Sequence, residues 1–184
     1  MKTNWLVFSV LCVWLISCGN KRSINSENNG HLLIDTTKVV ILPYDSTDIW
    51  IFKNCTQAEL TNDDLELLDS ILIVCISEYN IEQEKRYKEI CNEYPDIEFD
   101  KYHFLIDITK YRRQYICVTN EREETETWIN FLCESSFLNL FDEENPNRWK
   151  TGRIVVMDGG NCFFTIKINL TTKIYYDLFV NGEA

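Results

Sequence analysis

The chain reads as an α+β domain, an antiparallel sheet of about five or more strands with one main helix, about residues 62–79, packed on one face. Three observations predict this. A capped segment near the start of the body repeats apolar residues at helical spacing. The C-terminal half alternates apolar and polar residues with the period of a strand. The helix stripe also matches the apolar face that those strands leave without a cover.

In chain order, Val39-Val40-Ile41-Leu42, stopped by Pro43, predicts a short strand, and residues 48–52 predict another. Thr61 is a natural N-cap, with Asp64 at the capping-box position and Leu60 and Leu65 placed as a hydrophobic staple. Asp63, Asp64 and Glu66 put negative charge on the first turn, where the helix dipole favours it. Leu65, Leu68, Leu72, Cys75, Ile76 and Tyr79 then form one apolar stripe. A second, more polar helical stretch is expected over 82–91, ending before Pro95.

From residue 103 the pattern becomes that of strands: 103–108, 113–119 and 127–133. The last two form a hairpin across the charged stretch 120–126, centred near Glu123, with Tyr115, Cys117, Ile129, Phe131 and Cys133 on one face. Residues 142–147, with Pro146, read as a loop. Segments 153–157 and 162–170 flank Gly159-Gly160, which predicts a tight hairpin with Val155 opposite Phe164 and Met157 opposite Cys162. A final strand, 174–180, would place Phe164, Ile166, Ile168, Tyr176, Leu178 and Val180 on one face.

The N-terminus carries an address. Lys2 precedes an apolar run from Trp5 to Ile16, too short for the roughly 20 residues that span a bilayer and suited to the core of a signal peptide. Leu15-Ile16-Ser17-Cys18 follows and resembles the lipobox of bacterial lipoproteins. That resemblance implies cleavage after residue 17, acylation of Cys18 with chains such as palmitate, and a lipid anchor in the cell envelope, at the outer membrane rather than the inner. Polar residues 18–36 then read as a tether, and 37–184 as one globular domain. The tail, from Asp158-Gly159-Gly160-Asn161 to Asn181-Gly182-Glu183-Ala184, resembles small uncharacterised lipoproteins of Gram-negative gut anaerobes, and no activity comes with that resemblance. In shape alone, a helix on an antiparallel sheet is similar to cystatin-like and NTF2-like architectures.

Charge narrows the partners. With 18 Lys+Arg against 29 Asp+Glu, the net charge is −11. That argues against nucleic acid, whose phosphates reward basic surface, and suits solubility or a basic protein partner. Six cysteines lie outside the N-terminal segment: Cys55, Cys75, Cys91, Cys117, Cys133 and Cys162. None forms a C-x-x-C pair, so zinc and thioredoxin-like signals are missing. Up to three disulfides, or buried free thiols, are both consistent with their spacing.

A catalytic constellation is not legible. His31 falls in the tether and His103 opens a strand, and no nucleophile-elbow motif is present. Glu121, Glu123, Glu124 and Glu126, and likewise Asp142, Glu143 and Glu144, are expected in solvated loops without EF-hand spacing. Asp35-Thr36-Thr37 and Asp45-Ser46-Thr47 resemble a short O-glycan acceptor of some gut anaerobes. Lys110, Tyr111, Arg112, Arg113 and Tyr115 form the one compact basic–aromatic patch, and with Trp128 they are the candidate partner-binding residues. No metal or cofactor is expected. The reading is a non-enzymatic, membrane-anchored binding module for one envelope or toxin protein, of immunity or inhibitor type. A carboxylate hydrolase and an envelope-assembly protein are the alternatives.

Overall fold

The computed structural model describes residues 35–135, 145 and 147–182. The signal segment, Cys18, His31 and the tether to residue 34 lie outside the described residues, as do Asp142, Glu143 and Glu144.

The capped helix forms and runs past its stripe. α1 spans Asn62–Glu93, so the stretches expected at 62–79 and 82–91 are one helix. No glycine or proline interrupts it, and Pro95 follows its end. Thr61 Oγ1 accepts from Asp64 N at 3.2 Å while Asp64 accepts from Thr61 N at 2.9 Å, which closes the capping box. Leu68, Ile71, Leu72, Cys75 and Ile76 are buried, all in the first half. The polar second half leans on the returning chain, where Tyr87 meets Phe104 edge-on at 5.3 Å and Lys101 pairs with Glu84 at 2.8 Å.

Six strands make one sheet: β1 Val39–Ile41, β2 Thr56–Gln57, β3 Tyr111–Thr119, β4 Thr125–Cys133, β5 Phe163–Asn169 and β6 Ile174–Val180. The order is β1-β3-β4-β5-β6, with β2 also against β3. β1 runs parallel to β3, so the sheet is mixed rather than wholly antiparallel. A parallel pair needs a long crossover, and the stretch containing α1 supplies it. β3 and β4 pair about Arg122, with Tyr115 opposite Ile129. Measured against a centre at Glu123, this is a slip of two residues, which preserves the faces. Tyr115, Cys117, Ile129, Phe131 and Cys133 are all buried.

Three expected strands do not form. Residues 48–52 make turns, with Ile51 N donating to Asp48 O at 2.8 Å. Residues 103–108 lie between two 3₁₀ turns, Lys101–His103 and Ile108–Lys110. Asp100 and Asp107 set those turns by accepting the backbone N–H two residues on. Residues 153–157 pair with no strand, because β5 already has β4 on one side and β6 on the other. Gly159 and Gly160 have the expected positive φ, 91° and 59°. They lead into a 3₁₀ turn, Gly160–Cys162, instead of closing a hairpin. Val155 and Met157 therefore do not pair with Phe164 and Cys162. At Gly159 an added Cβ would sit 2.8 Å from the Phe163 ring, which is a second reason for glycine there.

Between β5 and β6 the register shifts by one at a bulge, beside Asp177 with φ 51°. Val180 and Leu178 pack on the α1 side as expected, but Tyr175 replaces Tyr176 there. Tyr176 instead lies opposite Lys167.

The α1-side core joins Leu68, Leu72 and Cys75 to Tyr115, Ile129, Phe131, Phe164, Ile166 and Ile168. Phe131 stacks on Phe164 at 4.1 Å between ring centroids. The other face is covered by irregular chain. Leu42, Ile51 and Phe52 pack on Ile116, Val118 and Trp128. Trp149, on the short helix α2 (Arg148–Thr151), packs with Ile154 on Leu132 and Phe163.

Candidate functional site

The basic–aromatic patch is not a surface. On the pleat, Tyr111, Arg113 and Tyr115 point under α1 and are buried, as is Trp128 beneath the loop cover on the other face. Their apolar bodies pack into the cores on the two sides of the sheet. Tyr111 OH donates to Asn161 O at 2.8 Å, and Arg113 Nη1 donates to Asp69 Oδ1 at 2.7 Å. Arg112 is half-buried, its guanidinium 5.2 Å from the Trp149 ring centre. Lys110 alone is exposed, beside Asp107 at 3.5 Å and over the Tyr102 ring.

The cysteines divide. Cys133, at the end of β4, and Cys162, just before β5, form a disulfide. Cys55, Cys75, Cys91 and Cys117 are free thiols. Burial pushes the Cys75 thiol up to about 12, and Glu78 adds to the shift. Burial also raises Cys117. In both, burial disfavours the thiolate, the form that reacts.

The acidic hairpin is less solvated than expected. Glu126 is buried. Asn120 Nδ2 donates to Glu124 Oε2 at 3.0 Å and to Glu126 Oε1 at 2.9 Å. Asn169 Nδ2 reaches the same two oxygens at 2.9 and 3.2 Å, and Tyr176 OH donates to Glu126 Oε2 at 2.8 Å. These bonds, with Asn120 first, hold Glu124 below the usual carboxylate range. Glu121 accepts from Asn54 at 2.9 Å. Such donors lock the turn, and among the described residues no group of His, Cys, Asp and Glu is placed to hold a metal. Asp35 and Asp45 each accept both the N–H and the hydroxyl of the threonine two residues on, so both short Asp-x-Thr motifs are Asx turns. Asn161 donates to Tyr102 O and Leu105 O, so it braces the Asp158–Asn161 turn and offers no ligand loop.

A cleft of about 150 Å³ opens on the face away from α1. Its floor includes Trp128, Ile154 and Phe163. Its rim is exposed and apolar: Trp50 at 55%, Val155 at 58%, Phe179 at 64% and Met157 at 86%. Trp50 stands edge-on to Trp128 at 5.7 Å, with the Arg153 guanidinium 4.9 Å from the Trp50 ring centre and ion-paired to Asp48. The lining's polar side chains are Asn130, Thr165 and Asn181. Among the described residues its lining contains no carboxylate, histidine, cysteine or lysine, so no paired acids of a hydrolase face each other across it there.

Buried amides that sequence reasoning missed build this rim. Gln114 Nε2 donates to Trp149 O at 2.6 Å and Gly152 O at 2.8 Å, and Gln114 Oε1 accepts from Ile154 N at 3.0 Å. Asn130 Nδ2 donates to Gln114 Oε1 at 2.9 Å and to Ile154 O at 2.8 Å. The available signal was an amide in each of two neighbouring apolar strands, and the register of the structure sets the two opposite each other. Among the described residues no helix is long and apolar enough to cross a membrane. No family model, curated protein or solved structure matches the chain.

Proposed function

We propose that the chain is a lipid-anchored cell-envelope protein whose folded domain binds another protein. The observation that carries the reading is the apolar rim of Trp50, Val155, Met157 and Phe179 around a cleft without reactive side chains. Exposed apolar side chains gathered at one place mark interaction sites rather than chance exposure. The anchor rests on Leu15-Ile16-Ser17-Cys18 and the apolar run before it. A basic partner suits the net charge of −11.

Two measurements test this. Cells fed a palmitate analogue should label the chain, and Cys18→Ser should abolish the label; a labelled Cys18→Ser chain overturns the anchor. The full chain, used as bait in an envelope extract, should retain one stoichiometric protein. Retention of none, at micromolar bait, overturns the binding-module reading.

A further inference from the structure

Residues 154–157 have the in–out alternation of a strand without a strand beside them. Ile154 is 8% exposed, Val155 58%, Val156 intermediate and Met157 86%. The even-numbered residues are held inward by side-chain amides. Ile154 N and O are taken by Gln114 and Asn130, while Asn181 Nδ2 donates to Val156 O at 2.7 Å and to Asp158 O at 2.9 Å. The backbone groups of Val155 and Met157 have no hydrogen-bond partner among the described residues. In a strand, the N–H and C=O of one residue point to the same side, and successive residues alternate. Amides on Ile154 and Val156 therefore leave Val155 and Met157 as the open edge.

We infer that Val155 and Met157 are the docking edge for an extended segment of a basic partner protein. Its backbone pairs with theirs, and one of its apolar side chains enters the cleft beside Trp50 and Phe179. This rests on the binding-module reading and names its site. Three features select that occupant. Unpaired backbone groups call for a strand, since lipid tails offer no donors or acceptors. The exposed rim supplies apolar surface to cover. The net charge of −11 over the whole chain steers a basic segment toward the domain, while at the rim Arg153 is already paired with Asp48.

The probe is a short acetylated peptide of alternating lysine and valine, titrated onto the full chain in detergent and read by amide hydrogen exchange. The expected result is slowed exchange at residues 155–157, lost when the peptide is N-methylated at alternate residues. Met157→Asp should weaken binding about tenfold or more. An attraction by charge alone would instead strengthen on adding an aspartate. Several results would overturn the inference: no binding, protection elsewhere, or equal binding of the methylated peptide. Protection of 155–157 that appears on concentrating the protein alone assigns the edge to a second copy and also overturns it. So does protection by phosphatidylethanolamine–phosphatidylglycerol vesicles without peptide. An envelope protein held equally by wild type and Met157→Asp would sink this docking edge while leaving the binding-module reading intact.

Discussion

Asp69 on α1 and Arg113 on β3 meet at 2.7 Å with both side chains 7% exposed, so the main helix is fastened to the sheet by a buried ion pair. Burial pushes the Asp69 carboxyl up and Arg113 counters it. The pairing is incomplete, since Asp69 Oδ2 and Arg113 Nε have no hydrogen-bond partner among the described residues. Asp69→Ala should therefore strand a buried guanidinium and cost about 3–5 kcal/mol. Replacing both partners with Leu and Met should cost much less than the single change. Urea unfolding of the wild type and these two variants checks this, and a double replacement that costs as much as Asp69→Ala would contradict it.

The capping box supplies a smaller effect of known sign. Thr61→Ala removes the acceptor for Asp64 N and the partner of the Asp64 carboxylate. The expected loss is about 1 kcal/mol, measured as a lower melting temperature. Thr61→Ser should restore most of it.

Thiol chemistry should report the cysteine assignment directly. Native alkylation of the unreduced protein should reach Cys55 and Cys91, which are partly exposed, and spare the buried Cys75 and Cys117. Denaturation without reductant should open those two and leave Cys133 and Cys162 unlabelled. Replacing that pair with serines should cost about 3–4 kcal/mol, for a link spanning 29 residues. Peptide mapping of the labels separates these outcomes.

Glu124 carries a pH dependence. Asn120, then Asn169, holds its pKa below the ordinary 4.5. The unfolded chain binds that proton more readily than the folded one, so the contribution is complete above the unfolded value and disappears as pH falls through the lower folded value. Glu124→Gln should flatten the acid limb of a stability–pH curve without moving its neutral plateau slope. An unchanged acid limb would refute the role given to this carboxylate.

Much of this was legible in residue spacing. Thr61, Asp64 and the Leu68–Leu72–Cys75–Ile76 stripe announce α1, because caps and helical periodicity are local. The facing of Tyr115, Ile129 and Phe131 survived a misplaced hairpin centre because a two-residue slip preserves sides. What failed was non-local. Residues 153–157 have strand alternation, but whether a strand finds a neighbour depends on which edges are already taken, here by β4 and β6. Tyr176 changed faces at a bulge marked by nothing more than an aspartate. Arg113 looked like part of a contact patch because its buried partner, Asp69, lies 44 residues away on α1, although Tyr115 already shared the face of Ile129 and Phe131.

The length of α1 has a mechanical consequence. Thirty-two residues at about 1.5 Å each make a rod of about 48 Å, yet its fully buried side chains fall between Leu68 and Ile76. The later turns are braced by Tyr87 against Phe104, and the C-cap Tyr94 meets Phe99. That outboard end is held by rings and by the Lys101–Glu84 pair, whereas the inboard turns are fastened by the buried Asp69–Arg113 pair. The two halves of α1 therefore rest on different supports, the first on the sheet's core and the second on the chain that returns over residues 99–104.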